Sequence, residues 1–321
     1  MSRVIIGIHG LGNKPPGKVL EIWWKASIRE GLKKIGKQKK SFNFEMAYWT
    51  DCLHENTLSL AIRDEKSPYY IHEPYVRAEA KQPILKPETL RKKILHDLEA
   101  GMEKIFLNKD LTVNYSSIND FIIHHFFSDF EKYYRADCIL ANDKNRKARD
   151  AIDANLADLL YKNRKNKILL IAHSMGSIIA YHVLTEVVPS IPIDTFVTIG
   201  SPLGLPVIKS KIAAERGEKI PDKFSLRTPE NIVSNWYNLA DLKDKIAMDY
   251  TLSDDYEENS RNVRVIDKVV YNNYKYNKTK NHHKSFGYLR TAEMAGIISD
   301  FLESGRRSPF TWIKNIMGFG R

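Results

Sequence analysis

The chain has 321 residues, of which 43% are hydrophobic and 28% charged, so it holds enough apolar material for a sizeable core and is not a disordered polymer. Fifty Lys and Arg against 39 Asp and Glu give a net charge of +11, which favours acidic partners such as anionic lipid surfaces or nucleic acid without choosing between them. No apolar run approaches the roughly 20 residues of a bilayer-spanning helix, so the expected mode of any membrane contact is peripheral. Only Cys52 and Cys138 are present, and a strand-like run starts at Val4, leaving no room for a secretory leader. The expectation is a cytoplasmic chain with reduced thiols.

Residues 4–8 are consecutively apolar and β-branched, as in a strand covered on both faces of a parallel sheet, and a glycine-rich turn follows. Leu20, Trp24, Ile28, Leu32 and Ile35 recur at helical spacing before Gly36, which supplies a stop. Phe42, Phe44, Met46 and Tyr48 then alternate with smaller or polar residues, a strand rhythm that completes a first β-α-β unit.

Between about residues 51 and 142 that rhythm disappears, which predicts a largely helical insertion or lid. Leu90, Ile94, Leu98, Met102 and Ile105 mark one helix face there, and an aromatic-rich stretch covers residues 121–134 with His124 and His125 in its middle. Adjacent histidines on such a helix read as packing or surface residues rather than metal ligands.

The sheet rhythm returns with a helix over 143–161, an uninterrupted apolar strand over 168–172 and a second helix carrying Ile178, Ile179, Val183 and Leu184 up to Pro189. Strands over 195–199 and 232–239 follow, then a strand or hairpin arm over 263–271 and a last helix with Met294, Ile297, Ile298, Phe301 and Leu302 on its inner face. Alternating strands and helices predict an α/β fold: an open, mostly parallel sheet with helices on both faces, forming one domain over 1–304. Residues 305–321 read as a basic amphipathic tail, with Trp312, Ile313, Ile316 and Met317 on one face and Arg306, Arg307, Lys314 and Arg321 around them. Such a stripe suits either an anionic membrane surface or docking on the protein itself, and leaves the oligomeric state open.

The chemistry sits at Ala172-His173-Ser174-Met175-Gly176, between an apolar strand and an amphipathic helix. This is the setting of a nucleophile elbow, a sharp turn whose flanking positions two before and two after the serine must be small. It puts Ser174 at a helix N-terminus, where free N-H groups and the helix dipole favour a developing oxyanion. Downstream, Asp241 and Asp244 lie beyond a strand, and His282 and His283 precede the last helices, in the chain order serine, acid, histidine. The residues alone leave both choices open.

The sequence resembles the α/β-hydrolase superfamily, and within it lipases and esterases with the Ala-His-Ser-Met-Gly elbow. His9-Gly10-Leu11-Gly12 after the first strand resembles the loop that completes the oxyanion hole, and Thr198-Ile199-Gly200-Ser201-Pro202 resembles a lipase strand end. The resemblance spans roughly residues 1–50 and 143–304. It implies a carboxylic ester hydrolase with Ser174 as nucleophile, His283 as base, and backbone N-H groups of Leu11 and Met175 as oxyanion donors. The spacing of His283 from Tyr288-Leu289 resembles that of related lipases. Asp244 before Lys245-Ile246-Ala247 resembles their Asp-Pro-Val segment, although Lys245 departs from the proline and keeps Asp241 as the alternative acid. The implied substrate is a small-molecule or lipid ester, with no nucleic-acid partner and no cofactor. The reading from another class is a non-catalytic hydrolase scaffold acting as a peripheral membrane or protein-interaction module.

Gly12 to Val19 mimics a phosphate-binding P-loop, but Val19 stands where a magnesium-binding hydroxyl is needed, and Pro15 and Pro16 remove two backbone donors. His54-Glu55 and His72-Glu73 lack the second histidine of a zinc protease helix, so no metal is called for.

Overall fold

The computed structural model describes residues 1–38, 41–78, 106–108, 110–114, 121–139, 146–217 and 225–304. The helix expected over Leu90 to Ile105 and the basic tail over 305–321 lie outside them.

Six parallel strands form the centre: β1 (Arg3–Ile8), β2 (Phe44–Ala47), β3 (Lys167–His173), β4 (Ile193–Ile199), β5 (Ile232–Ala240) and β6 (Val265–Val269), in spatial order β6-β5-β4-β3-β1-β2. Ile8 pairs with Ala47 on one side and Ala172 on the other, and Ala172 pairs in turn with Thr198. This register brings the C-terminal ends of β1, β3 and β4 side by side. Ligand sites of open α/β sheets form at that edge, where loops leave the strands for opposite faces.

The consecutive apolar residues of the central strands have a direct structural cause. Along β1, Val4, Ile6 and Ile8 face one core and Ile5 faces the other; along β3, Ile168, Leu170 and Ala172 oppose Leu169 and Ile171. Both faces are dry, and each fully buried aliphatic side chain contributes about 1.5–3 kcal/mol relative to exposure.

Helix α1 (Gly17–Lys34) buries Leu20, Trp24, Ile28 and Leu32 on one face of the sheet and leaves Ile22 exposed. The short α6 (Ser285–Leu289) and α7 (Ala292–Glu303) pack beside it. The other face is covered by α2 (Phe121–Arg135), α3 (Ala148–Lys162) and α4 (Met175–His182). Phe126, Phe127, Phe130 and Tyr133 bring the aromatic stretch into that core, while His124 is exposed.

Two features differ from the sequence expectation, and a third narrows it. The helix after Ser174 widens into a π-turn at Val183–Val187 before Pro189. Of the two forms expected over 263–271 the structure has the strand, since β6 runs parallel to β5 with Val265 opposite Trp236. Helix α5 (Pro206–Glu215) was not foreseen, because its short apolar pattern is interrupted by Lys209 and Lys211. Of the segment expected to be a largely helical insertion, residues 54–78 form turns and bends that lie against the sheet's C-terminal edge.

Candidate active site

Ser174 stands between β3 and α4 with φ 55° and ψ −128°, a left-handed conformation that a non-glycine residue adopts only under constraint. The constraint comes from both sides. Ser174 N-H donates to the Ile199 carbonyl at 3.1 Å, and the Ser174 carbonyl accepts from Ser177 N-H at 2.8 Å and Ser177 Oγ at 2.6 Å. Gly176 completes the turn by close approach, since a Cβ there would lie 2.7 Å from the His9 carbonyl oxygen and 2.8 Å from that of Ile8. No larger side chain fits between α4 and the end of β1.

The three side chains singled out by the sequence are brought into one hydrogen-bonded row. Ser174 Oγ is 2.9 Å from His283 Nε2, and His283 Nδ1 is 2.9 Å from each carboxylate oxygen of Asp244. Asp244 is fully buried. Burial would raise its carboxyl, but the charge and hydrogen bond of His283, the Tyr288 hydroxyl at 2.7 Å and the Ile246 N-H at 2.9 Å outweigh it and hold the group below the usual carboxylate value. Asp241 serves the neighbouring histidine instead: its Oδ2 is 3.1 Å from His282 Nδ1, and it also accepts from the N-H groups of Asn272 and Lys243.

The loop that carries His283 is held by its backbone. The carbonyls of His282 and Lys284 accept from Asn272 Nδ2 at 2.7 and 2.8 Å, and the His283 carbonyl accepts from His173 Nε2 at 2.7 Å. Burial first, then the charge of His283, keep His173 neutral with its pKa well below 6.5. Sequence reasoning passed over His173, Asn272 and Tyr288. His173 carried a signal as the residue next to Ser174, and Tyr288 only as the landmark for the spacing of His283.

Leu11 lies in the loop after β1 and lines the cavity above Ser174; Met175 opens α4, with its side chain in the core. The N-H groups of a first helical turn have no intrahelical acceptor. His9 orients the Gly10-Leu11 peptide. Trp49 N-H donates to His9 Nε2 at 3.2 Å, so the ring proton sits on Nδ1 and is given to the Gly10 carbonyl at 2.9 Å. Burial, reinforced by the charge of Lys14, lowers the His9 pKa to about 3, so the ring stays neutral.

The cavity has a volume of about 490 Å³. Trp23, Leu58, Phe126 and Phe286 supply apolar wall, and Lys14, Glu73 and Lys284 supply charge. Lys14 turns inward and donates to the carbonyls of Leu11 and Gly12. Residues 54–78 edge the cavity and are tied to its other walls by Leu58 N-H on the Lys14 carbonyl at 3.0 Å and by Glu73 on Asn281 and Lys284. Among the described residues no helix is long and apolar enough to cross a membrane.

Residues 98–216 match the family of the PGAP1-like alpha/beta domain. The match includes Ser174 and its elbow, but stops short of β1, Asp244 and His283. No curated protein matches the chain. With its parallel sheet and its strand-elbow-helix, the chain has an α/β-hydrolase-like fold, and over residues 98–216 it is similar to the PGAP1-like alpha/beta domain, a family of the α/β-hydrolase superfamily.

Proposed function

We propose that the chain is a serine hydrolase that cleaves carboxylic esters through an acyl-enzyme on Ser174. The observation that carries this reading is the row Ser174 Oγ, His283 Nε2, His283 Nδ1 and Asp244, with both contacts at 2.9 Å and the nucleophile at the floor of a cavity.

In this mechanism Ser174 Oγ attacks the ester carbonyl while His283 Nε2 takes its proton. The negative charge that forms on the carbonyl oxygen is met by the N-H groups of Leu11 and Met175, the first oriented through the His9 hydrogen bond to the Gly10 carbonyl. Collapse of the tetrahedral intermediate breaks the bond to the alcohol oxygen, which receives the proton from His283. Water then repeats the sequence on the acyl-enzyme and releases the acid. Asp244 keeps the proton of neutral His283 on Nδ1 and stabilises the imidazolium, taking no proton itself. The substrate is a small-molecule or lipid ester.

The test is hydrolysis of an aryl ester by the full chain and by Ser174→Ala. Loss of roughly 10⁴ to 10⁶ in kcat supports the reading, and retention of more than a tenth of the activity overturns it.

A further inference from the structure

The cavity over Ser174 carries two ammonium groups and one carboxylate. Lys284 Nζ lies 3.0 Å from Glu73 Oε2, and Glu73 also accepts twice from Asn281 Nδ2, at 2.8 and 2.9 Å. Burial would raise the Glu73 carboxyl, but Lys284 and these hydrogen bonds hold it below its usual value. Lys14 has no carboxylate partner among the described residues. Its Nζ donates to two backbone carbonyls, and burial, followed by repulsion from Lys284, pushes it down to about 7. The charges of Asp129 and Glu73 draw Lys14 the other way but less strongly, so an added anion would favour its charged form.

The position of the two lysines says which part of a substrate they meet. His283 hands its proton to the departing alcohol, so the alcohol lies on the His283 side of Ser174. Lys284 follows His283 in the chain and lines the cavity, and Lys14 is close enough to feel its charge.

We infer that the cavity selects esters whose alcohol part carries an anionic group, a carboxylate or a phosphate, held between Lys14 and Lys284. This assignment rests on the ester-hydrolase reading above. The incoming anion gives Lys14 a carboxylate or phosphate contact and competes with Glu73 for Lys284. A charge-assisted contact of this kind is worth about tenfold or more in discrimination.

The experiment compares hexanoyl esters of 4-hydroxybenzamide, 4-hydroxybenzoate and 4-hydroxyphenyl phosphate, with the neutral ester as internal reference. The full chain is expected to prefer at least one anionic ester by about tenfold in kcat/KM, and the two anionic arms show which group the lysines take. Lys284→Met and Lys14→Met should each lower the anionic-to-neutral ratio several-fold. Glu73→Gln should raise it, because the competing carboxylate is gone, whereas simple damage to the fold would not favour the anion. A ratio near one in the full chain, or ratios unmoved by Lys284→Met and Glu73→Gln, overturns the assignment while leaving the ester-hydrolase reading intact. No hydrolysis of any of the three esters overturns that reading and this assignment with it.

Discussion

His173 donates its Nε2 proton to the main-chain carbonyl of His283 at 2.7 Å, so the residue before Ser174 holds the histidine whose ring faces Ser174 Oγ. The bond ties the end of β3 to the loop before α6 across a gap of 110 residues. It fixes the height of the imidazole over Ser174.

Loss of this bond should act on turnover. A displacement of about 1 Å in reacting groups lowers rate by about 10²-fold. His173→Leu is therefore expected to lower kcat by that order with KM little changed, and His173→Gln, which keeps an N-H donor, to lose less. Steady-state kinetics of the two variants decide the matter; wild-type kcat in His173→Leu would remove the bond from the account.

The two acids should separate cleanly. Asp244→Asn leaves His283 without its carboxylate and should lower kcat by about 10⁴. Asp241 faces His282 and the N-H groups of Asn272 and Lys243, so Asp241→Asn should show mainly as a lower Tm. A kcat loss in Asp241→Asn equal to that in Asp244→Asn would contradict the assignment.

Much of the fold was legible because β1 and β3 are buried on both faces over residues 4–8 and 168–172 and so are consecutively apolar there, while α1 shows a one-sided stripe. The elbow was legible for a different reason: the left-handed turn at Ser174 and the crossing of α4 over β1 demand small residues at fixed offsets. The supports of the site left no such trace. His173, Asn272 and Tyr288 act by single hydrogen bonds between segments far apart in the chain, and no periodicity records which carbonyl a side chain will meet. Lys14 read as part of a failed P-loop, because its inward turn onto its own loop depends on the walls of the cavity.

Gly287 admits Asn272. A Cβ at Gly287 would fall 1.6 Å from Asn272 Oδ1, so Gly287→Ala must expel the side chain that holds the His282 and Lys284 carbonyls. The expected result is a stability loss of about 1–3 kcal/mol from unpaired buried groups, with kcat lowered tenfold or more. Asn272→Ala should give a similar kcat loss, and the double variant should fall well short of the sum. Denaturant unfolding and kinetics on the same preparations check both, and an undisturbed Gly287→Ala protein would refute the packing argument.

Stability should fall with pH from about 6.5 downward, earlier than carboxylates alone would cause. His9, lowered to about 3, and His173, lowered well below 6.5, stay neutral in the folded protein, while the unfolded chain protonates both as pH falls through about 6.5. The unfolded state then holds more protons, and folding loses up to about 1.4 kcal/mol per pH unit for each ring. Asp249, raised to about 6 by burial and the charge of Asp255, works in the opposite sense, so the informative quantity is a difference between proteins. The unfolding free energy of the wild type relative to His9→Gln should drop by about 2 kcal/mol between pH 7 and pH 5. A difference that stays constant would mean that His9 is charged in the folded protein.

The central claim is that Ser174 is a nucleophile activated by His283, and a fluorophosphonate reads that activation directly, because it phosphonylates an activated serine and spares an inert hydroxyl. The account predicts one adduct per chain by intact mass, mapped by peptide sequencing to Ser174, abolished in Ser174→Ala and strongly slowed in His283→Ala. No adduct on the folded wild-type chain, or an adduct on any residue other than Ser174, would contradict it.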